Sequence, residues 1–193
     1  MGARPEATII ANCVQTVTPY AAYANATLCH CNEMEDVGMR GAFTASHLLA
    51  AALAMGEKMV SPGKEVLASY ILGHQVQGSI SIACLPASSK CISPYKYGFL
   101  GSATIAGRLM KLNPDGVAMT IALAASQAGG LAPTTGTTSH YLDFRTAARS
   151  GVESAILVSE GITARKDILE GEHCFLEELV GPGDYDLVKL TAD

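Results

Sequence analysis

The sequence predicts an all-α protein, a bundle of helices around a large apolar core. Hydrophobic residues, many of them alanine, make up 49% of the 193 residues, and only 16% of the residues carry a charge. Proline follows threonine, serine or asparagine just before several apolar stretches, a typical way for a helix to begin. Strand patterns of comparable strength and internal repeats are absent from the sequence. At this length we expect one domain with a sizeable core.

The first half of the chain is predicted to form three helices after an extended lead-in. β-Branched side chains mark residues 5–17 as extended. Thr18 is the predicted N-cap of the first helix, with Pro19 in the first helical position. The second helix is apolar on nearly every side, which is typical of a buried central helix. The three predicted helices span about residues 20–31, 45–59 and 62–82.

The second half is predicted to form three further helices separated by polar, kinked segments. Residues 85–97 and 131–140 are too rich in proline, glycine, serine and threonine to form helices. Asn113 ends one helix and caps the next. The predicted helices span about residues 98–110, 117–128 and 143–160. In the last of them small residues recur every four positions, which lets a neighbouring helix approach closely; they are Ala147, Gly151 and Ala155.

Charge and hydropathy exclude several classes of partner. The net charge is −5 and the 13 basic residues are scattered, so no basic stripe for nucleic acid is present. No apolar run reaches the roughly 20 residues that span a bilayer, and the N-terminus has no signal-peptide pattern. We therefore expect a cytoplasmic protein whose six cysteines are mostly free, buried side chains. The low charge favours either a large buried centre or apolar surface covered by a partner chain.

The densest group of functional side chains lies around His30. Acidic residues follow this histidine at +3, +5 and +6, and the first of them is Glu33. On a helix His30 and Glu33 share a face, so the carboxylate would orient the imidazole or share a substrate with it. The alternative is a solvated helix end. Cys29-His30-Cys31 resembles half of a zinc site, but no second ligand pair follows at metal spacing, so we predict no metal.

Three further residues are candidates for a site. His140 closes the polar loop before the last long helix, where a rigid scaffold would position it. Lys96 precedes the predicted helix start at Gly98, and together they would hold a carboxylate unless Lys96 is an ordinary loop residue. His47 lies on the apolar second helix, where a satisfied core histidine is the more common interpretation.

Together these segments resemble the MmgE/PrpD family of dehydratases and decarboxylases, over almost the whole chain. The segment from Asn25 to Asp36 is similar to the family stretch Asn-Gly-x-x-x-His-x-x-Asp-x-Asp-Asp. Four more segments match family motifs in order and spacing: residues 5–8 (Pro-Glu-Ala-Thr), 100–112, 122–130 (Ala-x-Ala-x-Ser-x-x-Gly-Gly) and 147–151 (Ala-Ala-Arg-x-Gly).

The resemblance implies acid/base chemistry on small tricarboxylates without a metal or organic cofactor, in a homodimer. His30 matches the motif histidine, Glu33 the acidic residue that reaches the active site, and Glu35 with Asp36 the acidic pair. It also implies that residues 1–193 form a single helical domain that lacks the family's smaller α/β lid domain. The chain would then be a fragment, or depend on a separate chain for that domain, or have a rebuilt site.

The chain also departs from the family pattern at the site. Val37 replaces a polar residue, Phe43 replaces a histidine, and His140 stands in the position of a substrate-binding lysine or arginine. His47, one helical turn beyond Phe43, is a candidate substitute for the missing histidine.

These observations leave three hypotheses for function. The first is a lyase of small organic acids, with Glu33 or His140 as base, His30 as partner, and Lys96 and Arg145 as carboxylate holders. The candidate substrate-binding residues over all hypotheses are Asn32, Asp36, Phe43, His47, Lys96 and Arg145. The second is a repurposed pocket that isomerises or cyclises a larger, less charged secondary metabolite. The third is a non-catalytic subunit. The family assignment requires the His30 segment and the loop ending at His140 to meet around a shared cavity.

Overall fold

The computed structural model describes residues 4–38, 42–43, 45–84 and 95–191. The extended lead-in forms an antiparallel hairpin of β1 (Ala7–Ile9) and β2 (Val14–Thr16), in which Ala7 lies opposite Thr16. A second two-stranded ribbon pairs β3 (Val37–Gly38) with β4 (Ala42–Phe43). Both ribbons are too short to form a core layer, so the domain is all-α as the sequence predicts.

Helices form the rest of the fold in the described residues. The six predicted helices are present, and a short seventh helix near the C-terminus is added. Their bounds are α1 Thr18–His30, α2 Ala45–Lys58, α3 Gly63–Ala83, α4 Tyr95–Leu109, α5 Pro114–Ala125, α6 Tyr141–Ser159 and α7 Phe175–Val180. None of the helices in this part of the chain is both long and apolar enough to cross a membrane.

Two helix starts differ from the prediction. Val17 is the N-cap of α1, and the Thr18 hydroxyl instead donates to the Glu6 carboxylate at 2.8 Å. Helix α4 begins at Tyr95 and not at Gly98, so Lys96 lies within its first turn. The predicted cap of α5 is confirmed, since the Asn113 side chain accepts a hydrogen bond from the Gly116 backbone N–H at 2.8 Å.

The main core lies between α1, α2, α4 and α6. Its largest fully buried aliphatic side chains include Leu48, Met55, Ile105 and Val152. Helix α2 is less enclosed than predicted, because Leu49 is 38% exposed. Helix α7 closes a smaller apolar cluster with α3 and α4, which contains Ile80, Tyr97, Leu100, Phe175 and Leu176.

The row of small residues on α6 does bring a neighbouring helix close. A Cβ added at Gly151 would lie 2.5 Å from the Ser102 Cβ and 2.6 Å from the Ala103 backbone nitrogen. Helices α4 and α6 therefore pack with their backbones nearly in contact, and α6 is fixed against the centre of the bundle.

The cysteines fit the expectation only in part. All five within the described residues are free, but only Cys84 and Cys174 are buried; Cys13 and Cys31 are exposed and Cys29 is half-buried. Cys91 lies outside the described residues.

Candidate active site

His30 is the last residue of α1 and is almost completely buried, with 1% of its surface exposed. The helix ends here because the chain reverses at Glu33, whose φ of +48° lies in the left-handed region. The Glu33 backbone N–H still donates to the His30 carbonyl at 3.0 Å. This turn directs the following residues back over the imidazole.

The carboxylate that holds His30 is Glu35, not Glu33 as the helical spacing suggested. Glu35 Oε1 bonds to His30 Nδ1, and the two side chains are 2% and 1% exposed. Of the two alternatives for Glu33, orienting the imidazole is wrong, because the reversal at Glu33 brings the residue at +5 onto the ring instead. That Glu33 shares a substrate with His30 stays a prediction. A carboxylate in its ionised form only accepts a hydrogen bond, so this contact favours the tautomer with the proton on Nδ1 and leaves Nε2 for other chemistry.

Aromatic side chains surround the rest of the His30 ring. The Phe144 ring lies against it with a centroid distance of 3.7 Å and an interplanar angle of 39°. His140 makes an edge contact at 4.9 Å and Tyr141 another at 5.9 Å. These three residues come from the start of α6 and the short turn before it (Thr138–His140), so the α1–α6 packing forms the site.

Glu33 and His140 meet beside His30, which brings the two predicted segments together. His140 Nε2 lies 4.0 Å from Glu33 Oε1; the histidine side chain is 3% exposed and that of the glutamate 53%. The residues that carry potential acid/base groups are therefore two buried imidazoles and one half-exposed carboxylate. One ring nitrogen of each histidine and one Glu33 oxygen all lie within 4.8 Å of one another.

His47 has the environment of a core histidine. It is fully buried on α2, with Nε2 2.6 Å from Gln77 Oε1, and a Cβ at Gly98 would lie only 2.5 Å from that nitrogen. Burial lowers the pKa of His47 to about 4, so the ring is neutral near pH 7. Its ring centroid is 5.6 Å from that of Phe144, which also packs on His30.

The other predicted binding residues are spread over several elements of the fold. Asn32 and Asp36 are exposed. Lys96 lies in the first turn of α4, so it does not precede a helix start as predicted, because that start is at Tyr95. The Arg145 guanidinium lies over the Tyr23 ring at 4.3 Å. The Phe43 backbone pairs with Val37, but its side chain lies outside the described residues.

Sequence reasoning missed three residues that shape the site. Glu35 matches a family motif but is not among the predicted site residues, and neither are Gln77 and Phe144. Phe144 follows His140 by four residues, a spacing that puts both on one side of a helix and was an available signal. Gln77 is remote from His47 in sequence and offered none.

The comparisons with known proteins agree with this fold and motif order. The family model for the MmgE/PrpD N-terminal domain matches residues 1–188, so the chain belongs to this family. It is 27% identical over 163 residues to the human (Homo sapiens) cis-aconitate decarboxylase, across 81% of this chain and 34% of that protein. It is 25% identical over 158 residues to the mouse (Mus musculus) cis-aconitate decarboxylase, across 78% of this chain and 32% of that protein. The chain thus spans about a third of the length of the curated relatives it matches.

Proposed function

We propose that the chain is a lyase of the dehydratase or decarboxylase type that acts on a small organic acid through its own acid/base side chains. The observation that carries the proposal is the buried His30–Glu35 pair with His140 and Glu33 beside it. The similarity to cis-aconitate decarboxylases supports the lyase class and suggests an unsaturated tricarboxylate as the first substrate to test.

Both lyase reactions need a proton transfer at a carbon next to a carboxylate. In dehydration, a base takes that proton while an acid protonates the leaving hydroxyl, so that water departs. In decarboxylation, the carbon–carboxyl bond breaks, carbon dioxide leaves, and the electron pair left on carbon takes a proton from an acid. Dehydration therefore requires a base and an acid around one small molecule, and decarboxylation requires an acid at the carbon that loses its carboxyl group.

The geometry suggests how these roles are divided. Glu35 fixes the His30 ring through Nδ1, which leaves Nε2 as the proton donor or acceptor. Glu33 is half exposed, so its carboxylate is open to solvent and to an entering substrate, whereas the His140 side chain is buried 4.0 Å from it. We therefore propose Glu33 or His140 as the base and His30 as its partner, with Glu35 as the residue that positions His30.

A second candidate function is favoured by the lack of cationic partners for His30 and Glu33 among the described residues. Within the described part of the chain, neither His30 nor Glu33 forms an ion pair with a lysine or an arginine, and Arg145 packs on Tyr23 instead. Burying a tricarboxylate without cations is costly. The alternative is isomerisation or cyclisation of a larger, less charged metabolite, for which an aromatic wall such as Phe144 is suited.

Turnover assays on the purified chain test the proposal. The chain is incubated with cis-aconitate and, separately, with hydroxylated tricarboxylates, and substrate loss is followed by proton NMR together with carbon dioxide release. We expect turnover, and we expect Glu33→Gln to lower kcat/KM by about 100-fold, within the usual range for losing a general acid or base. The matched control is Glu172→Gln, a glutamate that lies beside a histidine (His173) on the surface with its side chain 88% exposed.

The results separate the candidates. Equal activity in the wild type and in Glu33→Gln would contradict the proposed role of Glu33. No turnover of any tricarboxylate, with turnover of an apolar polyunsaturated substrate, would favour the isomerase or cyclase. Activity that depends on a co-purifying second chain would favour the non-catalytic subunit.

A further inference from the structure

A cavity between the α2–α3 connection and the end of α4 lies apart from the His30 site. It has a volume of about 510 Å³, and its walls include Ser61 and Pro62 on one side and Arg108 and Lys111 on the other. Glu65 also lines it and contacts Arg108 at 3.4 Å, with both side chains at least a third exposed. Two cations and one carboxylate give this cation cavity an excess of positive charge, although the whole chain has a net charge of −5.

The same two cations border an apolar groove. This α5 groove has a volume of about 650 Å³ and lies between α3, the end of α4 and the start of α5. The residues that line it besides Arg108 and Lys111 are all apolar: Leu72, Leu112, Pro114, Val117, Ala118 and Ile121. Leu72 is 42% exposed, so a molecule in the α5 groove would remove apolar surface from water.

Two residues of the cation cavity have an uncommon backbone conformation. Val60 has a φ of +50° and Lys111 a φ of +56°, and both line the cavity. A β-branched residue in this left-handed region is an outlier, and glycine is the usual residue in it just after a helix. The Val60 side chain is 88% exposed, so its own burial does not compensate for the strain. Strained backbone of this kind is found at ligand-binding sites, which agrees with a cavity that holds a ligand.

We propose that Arg108 and Lys111 bind the head group of an anionic amphiphile whose apolar tail lies in the α5 groove. The head is a carboxylate or a phosphate monoester, since the oxygens of both accept hydrogen bonds from guanidinium and ammonium groups. The contact with Glu65 leaves other guanidinium N–H donors of Arg108 for the ligand. Lys111 forms no ion pair with a carboxylate among the described residues.

The charge of the cations selects the head, and the aliphatic side chains select the tail. Because Arg108 and Lys111 line both spaces, a molecule held by them can place its head in the cation cavity and its tail in the α5 groove. None of the lining residues belongs to the His30 site. The inference therefore goes beyond the proposed lyase activity and does not depend on it.

Calorimetric titration of the full chain with decanoate and, separately, with decyl phosphate tests the proposal. Both are used below the concentrations at which they form micelles. We expect one molecule per chain for at least one of them, and the tighter of the two identifies the head group. Octanoate should bind about 3- to 15-fold more weakly than decanoate, since full burial of two methylene groups accounts for about 15-fold. Decanol has the same tail without a charge and should bind at least about tenfold more weakly.

Single variants identify the residues that hold the head. Arg108→Gln and Lys111→Gln should each weaken binding by about tenfold, because each removes a charged hydrogen-bond donor. Both side chains are partly exposed, so the variants should keep the fold, which circular dichroism verifies. Arg165→Gln is the matched control, since this arginine pairs with Asp167 on the surface at 2.7 Å and should not affect binding.

Three results would overturn the proposal: no saturable binding of either amphiphile, equal affinities for decanoate and decanol, or an equal loss of affinity in Arg165→Gln and the two cavity variants. Inorganic phosphate provides a further test of the tail. If it binds as tightly as decyl phosphate, the α5 groove holds no tail and the proposal is wrong.

Discussion

At the scale of single residues, the site depends on how α1 ends. His30 is the last helical residue, and the positive φ of Glu33 turns the chain so that Glu35 reaches the imidazole. The two glutamates of this turn differ sharply in exposure, since the Glu33 side chain is 53% exposed and that of Glu35 is 2% exposed. Two glutamates only two positions apart thus have different roles, one facing solvent and one inside the protein.

This difference predicts the cost of truncating each glutamate. Glu35→Ala leaves a buried imidazole without its carboxylate, and breaking a buried pair in this way typically costs about 3–5 kcal/mol of unfolding free energy. Glu33→Ala, at a half-exposed position, should change the unfolding free energy by less than about 0.5 kcal/mol. Urea denaturation of the two variants measures both values. Similar values for the two variants would mean that the His30–Glu35 pair does not stabilise the fold.

The residue types of the site could be predicted from the sequence, but their pairing could not. His30, Glu33 and His140 stood out because histidines and acids are rare in so apolar a chain. Helical spacing then favoured Glu33 as the partner of His30, because a pattern cannot show where a helix stops. Glu35 is the partner because the His30 imidazole is enclosed by Phe144 and His140, and a buried polar group needs a hydrogen-bond partner that is also buried.

At the scale of elements, the approach of α4 to α6 positions one side of the site. Gly151 allows α6 to lie against Ser102 and Ala103, and the same helix carries Tyr141 and Phe144 to His30. The row of small residues in the sequence correctly predicted a close approach to α6, because small side chains leave room for a neighbouring backbone, but it did not identify α4 as the partner.

The close approach predicts opposite effects for two glycine substitutions. Gly151→Ala would place a Cβ 2.5 Å from the Ser102 Cβ and 2.6 Å from the Ala103 backbone, so we expect it to destabilise the protein by about 1–3 kcal/mol. Gly107→Ala, where the nearest atom would be a Val117 methyl at 3.4 Å, should be neutral or stabilise by up to about 1 kcal/mol through helix propensity. Thermal unfolding checks both. Equal melting temperatures for the two variants would contradict the packing argument.

At the scale of the whole molecule, His47 lies where four helices meet. It extends from α2, bonds to Gln77 of α3, lies against Gly98 of α4 and is near Phe144 of α6. Burial lowers the pKa of His47 and the hydrogen bond with Gln77 raises it. The charges of His30 and His74 lower it further, and the resulting pKa is about 4. Protonating this ring would place a charge in the centre of the bundle.

The lowered pKa of His47 therefore predicts a loss of global stability in mild acid. Its folded pKa of about 4 lies below the unfolded value of 6.5, so below pH 6.5 the unfolded state binds more protons. Unfolding free energy should fall as the pH drops from about 6.5 to about 4, by about 3 kcal/mol from this residue, and then level off. In His47→Gln that part of the pH dependence should disappear, as measured by urea unfolding at several pH values.

An exposed histidine provides the control for this experiment. The hydrogen bond and charge of Glu178 raise the pKa of His173, so His173→Gln should not reduce the acid-induced loss. Parallel pH curves for wild type and His47→Gln would show that His47 is not a buried neutral histidine.

The sequence by itself determined the class of fold, the six long helices, the close approach of a neighbouring helix to α6 and the two segments that form the site. Each of these follows from local information: apolar periodicity, capping residues, rows of small side chains and rare polar groups. Only the tertiary structure decided that α4 begins before Lys96, that Arg145 packs on Tyr23, and that Glu35 and Gln77 hold the two buried histidines. These outcomes depend on which polar side chains are buried and therefore need a hydrogen-bond partner. Burial in turn depends on the packing of segments that are far apart in the chain.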